Sequence, residues 1–445
     1  MAVTYFVATT GSDNNGGSSE GAAKASGTGA ATTAAVATVS LVADLPNLST
    51  VVIGDAIRLA GRTDGINSTD LFEITAVDDS LDTVTVTPTP GTTTSGVTWA
   101  IGGALATIQR SLNVVRPSEK IWVKATGTYT ETLTAASTGF GTSSASTEIE
   151  GYTSVISPPD GGIVTISGRF AAVAGTYHWI IRNFRVTGST ADGVGFGPSA
   201  NQIHFRRCRS DSHTGASSEG FAVGAGCTFV HCYAHDNGSS GFLCSGSANA
   251  SLFVGCIALS NGGHGITAAN NAAAYKCVTF SNVLNNYLFT GANTFVFQCV
   301  GDGDADDSDI GIAFANGSAT QGQCVVDCIV YDCATGISST TNRGESMVSF
   351  NNVLFGNAAN YSNWFTEAGE ITSAGGGQTI PGFANEASND YGILSTSVAK
   401  STGFDLQDNP WGLTFTGRRH DIGAMTAPAG GGGGGSSGIL TGGKM

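Results

Sequence analysis

A short phrase recurs through the second third of this chain and sets the terms on which it can fold. It consists of an apolar pair, a small residue, Asn-Gly or an equivalent, and then Gly before an apolar residue. FVHCYAHDNGSSGF (229–242) and FVGCIALSNGGHGI (253–266) are the clearest copies. Taking the small residue as the mark, equivalent positions fall at Asn183, Cys208, Cys232, Cys256, Cys277, Cys299, Cys328 and Asn352, at intervals of 25, 24, 24, 21, 22, 29 and 24. A fixed period of this length means stacked supersecondary units. Within each unit, β-branched and aromatic clusters alternate with Gly, Asn and Ser, which reads as short strands separated by turns. One such coil cannot bury its own apolar side, whereas a stack makes a continuous core.

The fold this predicts is all-β, a single-stranded right-handed parallel β-helix over 146–425. With rungs about 4.8 Å apart, some ten coils make a shaft on the order of 50 Å long. Composition agrees. The 64 Gly in 445 residues and 12% charged residues leave few helix formers, while 41% hydrophobic residues are too many for a disordered chain. Five residues after the mark come His213, Asn237, Asn261, Asn282, Asp304, Cys333 and Asn357. Asn tolerates the left-handed backbone, so this row reads as a ladder at one corner. Gly220, Gly241, Gly265, Gly311 and Gly336 suit the restart of a strand after a tight turn.

Six of the ten cysteines sit at the mark and read as small apolar fillers, reduced and buried. A zinc site at Cys324, Cys328 and Cys333 fails on geometry, since strand residues four apart lie about 13 Å apart. The net charge of −15 and pI near 4.7 argue against nucleic acid and anionic membrane surfaces as partners. No apolar run reaches the roughly 18 residues a membrane span needs. Met1 to Asn15 lacks the pattern of a signal peptide, so the expectation is a product assembled in the host cytoplasm.

Outside the repeat, ALATIQRSLNVV (104–115) puts Leu105, Ile108, Leu112 and Val115 on one helical face. Together YFVATTGSDNNGG (5–17), ATIQRSLN (106–113) and IWVKATGTYTE (121–131) resemble the N-terminal cap of the pectate-lyase-like β-helix family, which includes many phage tailspikes and fibres. The resemblance covers residues 1–25 and 100–425. It implies that a short helix closes the open end of the core, that RRHDIGAM (418–425) is the closing strand, and that viral members form homotrimeric shafts. Lyases of the family use calcium-binding acids and an Arg, commonly in an Arg-x-Pro phrase; no Arg-x-Pro occurs here.

These readings divide the chain into a cap strand (1–25), an inserted small β-barrel or sandwich (26–102), a capping helix with the first coil (103–145), the β-helix (146–425) and a Gly-rich tether (426–445). The insertion shows three alternating strands, IGDAIRLAG, DLFEITAVD and DTVTVTPTP. The tether carries six consecutive glycines and one apolar hook, Ile439 and Leu440, suited to docking into an assembly.

Two polar clusters stand out. GDGDADDSD (301–309) offers Asp302, Asp304 and Asp306 as weak calcium candidates, but it lacks the Gly and terminal acid of an EF-hand loop. No other cofactor is indicated. The second cluster pairs Arg207 with His231, Arg209 with Tyr233, and Asp211 with His235 on neighbouring rungs. Alternation from an inward mark turns all six outward, as a candidate glycan-binding patch. Further along, the same rows become apolar: Ile257, Val278, Val300, Ile329 and Val353 in one, Leu259, Phe280, Tyr331 and Phe355 in the other. Such rows need cover from another chain or from a trailing segment such as 360–415.

The expected function is that of a structural protein on the surface of a tailed bacteriophage virion, a capsid decoration, fibre or spike. Its expected partners are other virion proteins, further copies of itself with a trimer favoured, and host polysaccharide. The alternatives are a polysaccharide lyase or glycoside hydrolase, and a bacterial surface adhesin.

Overall fold

The computed structural model describes residues 3–393 apart from 42–46, 136–144, 157–160, 173–177, 189–193, 198–200, 247–249, 304–308, 316–321, 341–346, 351, 364–370, 373–382 and 386–389. The shaft is built of parallel sheets running along its length. An eleven-stranded first sheet runs from Thr4–Val7 to Met347–Phe350, and an eleven-stranded second sheet from Thr128–Tyr129 to Ile371–Thr372. A seven-stranded third sheet runs from Phe221–Val223 to Ala359–Ser362 and is extended backwards by single bridges from Phe221 to Phe196 and Phe170. A typical coil contributes His204–Arg206, Arg209–Asp211 and Phe221–Val223, one strand to each sheet. Register is strict: Ser210, Ala234, Ala258 and Thr279 are successive partners, all buried.

Stacking of like on like fills the interior. Phe205, Phe229 and Phe253 stack at 5.1 and 4.9 Å between ring centroids, and Phe196, Phe221 and Phe242 at 4.8 and 4.8 Å. The two columns meet edge to face, at 5.6 Å for Phe221 and Phe229. Cys208, Cys232, Cys256, Cys277, Cys299 and Cys328 form the column at the bend between the first and second sheets, all buried, and all ten thiols are free. Burial pushes the Cys232 and Cys256 thiols well above their ordinary range, which keeps them protonated and inert.

The bend itself needs a left-handed residue. Asn183, Arg207, His231, Gly255, Lys276, Gln298 and Asp327 occupy it with φ between 50° and 60°. This corrects the alignment at one point: Phe184, not Asn183, partners Arg209's neighbour Cys208, because Arg185 pairs with Arg209. The second bend is also left-handed, at Ser212, Asp236, Ser260, Ser281 and Asp332. The predicted asparagine row follows that corner by one residue; His213, Asn237, Asn261, Asn282 and Cys333 are buried and Asn357 is half-buried. Asn237 Nδ2 donates to Asn261 Oδ1 at 2.9 Å and Asn261 Nδ2 to Asn282 Oδ1 at 2.9 Å, and each also reaches a strand carbonyl. Asparagine is there as a donor and acceptor inside the stack, and serine or aspartate takes the strained corner.

The recurring glycines answer to the same ladder. A Cβ on Gly220, Gly241 or Gly265 would lie 2.8, 2.8 or 2.9 Å from the Nδ2 of Asn237, Asn261 or Asn282. Space, not a turn, selects glycine at these positions.

At the N-terminal end the helix Ile108–Leu112 is shorter than its apolar spacing suggested, yet Leu105, Ile108, Leu112 and Val115 are all buried. Carboxylates fix where it starts. Asp13 accepts from the amides of Ala106 and Thr107, and Glu131 from those of Ile108 and Gln109 at 3.0 and 2.9 Å. Between the first strand and this helix, Ala23–Thr32, Thr38–Ser40, Ala56–Leu59, Leu71–Asp78, Thr83–Thr87 and Thr94–Gly102 close an antiparallel barrel around Val39, Ile57, Phe72, Ile74 and Trp99. Ion pairs tie barrel to cap: Asp70 meets Arg110 of the helix as well as Arg58 of its own barrel (2.7 Å), and Glu73 lies 3.9 Å from Arg116.

Val278, Phe280, Val300, Ile329 and Val353 of the outward apolar rows are buried within the chain itself. Ile257, Leu259, Tyr331 and Phe355 of the same rows stay half-buried.

Candidate functional site

The polar cluster lies on the outward side of the second sheet, where Phe184–Thr187, Arg209–Asp211 and Tyr233–His235 are neighbouring strands. Strand pairing sets Arg185 beside Arg209 and Tyr233, and Thr187 beside Asp211 and His235. At its centre is Asp211, 1% exposed. Arg185 donates from Nε and Nη2 to its two oxygens at 2.8 and 2.7 Å, Arg209 Nε at 2.9 Å, and Thr187 Oγ1 at 3.0 Å. Burial alone would raise the Asp211 carboxyl, but the Arg185 hydrogen bonds and the two guanidinium charges outweigh it and hold the group at about 2. Arg185 is raised in turn, first by that hydrogen bond.

The chain of contacts continues outward. Arg209 Nη2 meets His235 Nε2 at 2.5 Å, and His235 Nδ1 meets Asp236 Oδ2 at 2.7 Å. Since a guanidinium only donates, this geometry sets His235 as the tautomer that accepts at Nε2 and donates from Nδ1. The Tyr233 ring is engaged as well, with Arg209 5.2 Å from its centroid and the His235 ring stacked 4.6 Å away.

Of the six residues read as an outward patch, the structure brings Arg209, Asp211, Tyr233 and His235 into direct contact. Two of them are not at the surface: Asp211 and His235, 9% exposed, are drawn in beneath the guanidinium groups that cross over them. Arg207 is exposed and His231 half-buried, on the left-handed bend beside the cluster. Burial first, then the charges of Arg206 and Arg207, lower the His231 imidazole. Arg185 and Thr187 escaped the sequence reading because the mark was set on Asn183, one residue early, which turned Arg185 inward. The alternation of Phe184 and Val186, both buried, was the signal that placed it correctly.

Among the calcium candidates, Asp302 is a buried strand residue between Phe280 and Tyr331, and Asp304 and Asp306 lie outside the described residues. So do the closing strand 418–425 and the tether with Ile439 and Leu440. Among the described residues no group of three or more His, Cys, Asp or Glu is placed to hold a metal ion, and no helix is long and apolar enough to cross a membrane.

Residues 171–353 match the family model of the right-handed β-helix region. The shaft has the fold of a right-handed parallel β-helix. The β-helix is similar in fold to the crystal structure of pectate lyase Pel9A, with TM-score 0.53, 16% identity, and 73% of this chain covering 92% of that one. Weaker likenesses are to an alginate lyase from Paenibacillus sp. str. FPU-7 (TM-score 0.33, 13% identity, 59% of this chain and 96% of that) and to tailspike protein gp49 of Pseudomonas phage LKA1 (TM-score 0.23, 10% identity, 84% and 71%). No curated protein matches. At these identities the likeness speaks for the fold, and function rests on the site.

Proposed function

We propose that this β-helix is a surface appendage of a bacteriophage particle that binds acidic polysaccharide without cleaving it, through the face that carries Arg185, Arg207 and Arg209. The observation that carries this reading is the locked network. Asp211 accepts from four donor groups and is ionised, so it has no proton to give. Both nitrogens of His235 are engaged, so neither is a free base. What the network presents outward is guanidinium: the Arg185 and Arg209 side chains are 36% and 38% exposed, and Arg206 and Arg207 lie beside them.

Charge supports it. Six of the 19 Lys and Arg fall between 169 and 209, against one acid, in a chain of net charge −15. A local cationic face on an acidic molecule concentrates anionic ligands there, and guanidinium is well matched to carboxylates. The particle assignment is supported by a shaft stabilised without disulfides, as befits assembly in a reducing cytoplasm, and by the barrel fused to one end. Binding of oligouronates measured by calorimetry tests the ligand. Arg207→Asn, which keeps the left-handed backbone accessible, is expected to weaken binding about tenfold, and added salt to weaken it further. Release of unsaturated oligosaccharides would replace this reading with that of a lyase, and absence of the chain from purified particles would overturn the appendage assignment.

A further inference from the structure

Beside the arginine face, along the bend that follows the second sheet, runs an open groove of about 580 Å³. Two rows of residues shape it. The left-handed corner row supplies Asp236, Ser260 and Ser281. Two residues further on, the corresponding positions are Thr214, Gly238, Gly262 and Val283. The groove is open in the middle because the two central members are glycine, and they are glycine because the coils close up there. A Cβ on Gly238 would lie 2.0 Å from the carbonyl oxygen of Gly215, and one on Gly262 2.5 Å from that of Gly238. Thr214 and Val283 stand at the two ends, three rungs apart, which is about 14 Å. That length and volume suit a short run of pyranose rings.

We propose that this groove is a subsite for a neutral, diol-bearing sugar residue, with Asp236 as the acceptor of its hydroxyls; the proposal rests on the reading that the neighbouring arginines bind polysaccharide. Asp236 Oδ2 is taken by His235 Nδ1, while the side chain is 58% exposed and, among the described residues, Oδ1 meets no donor. A carboxylate oxygen held from behind in this way accepts strongly from a pair of sugar hydroxyls, such as the 4- and 6-hydroxyls of a neutral amino sugar. The Ser260 and Ser281 hydroxyls on the next two rungs donate or accept as the ring requires. The same charge repels a uronate, so an acidic residue is excluded from the groove and left to Arg185, Arg207 and Arg209. Because Arg209, His235 and Asp236 are linked by two direct contacts, the two subsites are adjacent. The preferred ligand class is therefore a heteropolysaccharide in which an acidic residue adjoins a neutral one.

The test compares hyaluronan hexasaccharide, which alternates acidic and neutral residues, with oligogalacturonate and cellohexaose, by saturation-transfer NMR and calorimetry on the full chain. The expected order places hyaluronan first. Asp236→Asn keeps the left-handed backbone and the contact with His235, and is expected to weaken hyaluronan binding about tenfold while leaving oligogalacturonate bound as tightly as before or more tightly. Thr214→Trp, which fills one end of the groove, is expected to do the same. If hyaluronan and oligogalacturonate bind equally, or bind wild type and both variants alike, the groove proposal fails and the arginine face stands. If no acidic probe binds wild type, the polysaccharide reading itself falls.

Discussion

Asp211 shows how a single side chain can be read correctly for position and wrongly for environment. Alternation along its strand points it away from the core, and it does point that way, yet it is buried because Arg185 and Arg209 fold across it. Removing its charge leaves two guanidinium groups facing a neutral amide. Asp211→Asn is expected to cost about 2 kcal/mol, between the costs of breaking an exposed and a fully buried pair, because both arginines keep access to water. Thermal or urea unfolding measures it. The pH dependence has a definite sign. The Asp211 carboxyl is lowered to about 2 in the folded protein, so its contribution is complete above the unfolded value of about 4 and is lost as pH falls through about 2. The candidate residues were legible because chemistry-bearing types at the same phase of a 24-residue repeat must be neighbours. Arg185 was not, since one misplaced mark inverts a whole strand.

At the scale of the coil, the glycine and asparagine rows are one device. Each asparagine on a coil reaches back to a carbonyl of the coil before, and the glycine facing it has no side chain to obstruct it. Gly241→Ala puts a methyl 2.8 Å from Asn261 Nδ2, 2.9 Å from the Gly265 carbonyl oxygen and 3.2 Å from Ala234 Cβ. No flexible neighbour can yield there, and the substitution is expected to destabilise the shaft by about 2 kcal/mol. Ser239→Ala, on the adjoining turn, serves as the control and is expected to stay within about 0.5 kcal/mol. The sequence displays both rows, but not their relation. A one-dimensional period says that two residues recur, and only the stacked coils show that the one makes room for the other.

For the molecule as a whole, the junction of barrel and cap is the place where two folding units share charges. Glu119 accepts from the amides of Val3 and Arg116, with the Arg116 and Glu73 side chains and the Tyr5 hydroxyl nearby. Burial, with a smaller push from Glu73, raises its carboxyl to about 7 against the opposing amides and Arg116. The folded state therefore holds a proton that the unfolded chain releases near pH 4.5. Stability at this junction falls as pH rises from about 4.5 to about 7 and levels off above that. Protection of the Thr4–Val7 amides relative to intrinsic exchange is expected to fall over that window, and Glu119→Gln to flatten the dependence. Unchanged profiles in the variant would assign the effect elsewhere.

The sequence by itself determined the stacked architecture, the inward cysteine column, and the helix that closes one end, because each follows from periodicity and from the need of apolar residues for cover. It also determined which side chains are neighbours across rungs, since parallel strands in strict register carry phase in the repeat directly into contact. The tertiary structure alone decided that Asp211 and His235 are buried, that Val278, Phe280, Val300, Ile329 and Val353 of the later apolar rows are covered within the chain, and that two glycines open a groove beside Asp236. Burial and free space depend on what long side chains and neighbouring coils do in three dimensions, and a repeat period contains no record of that.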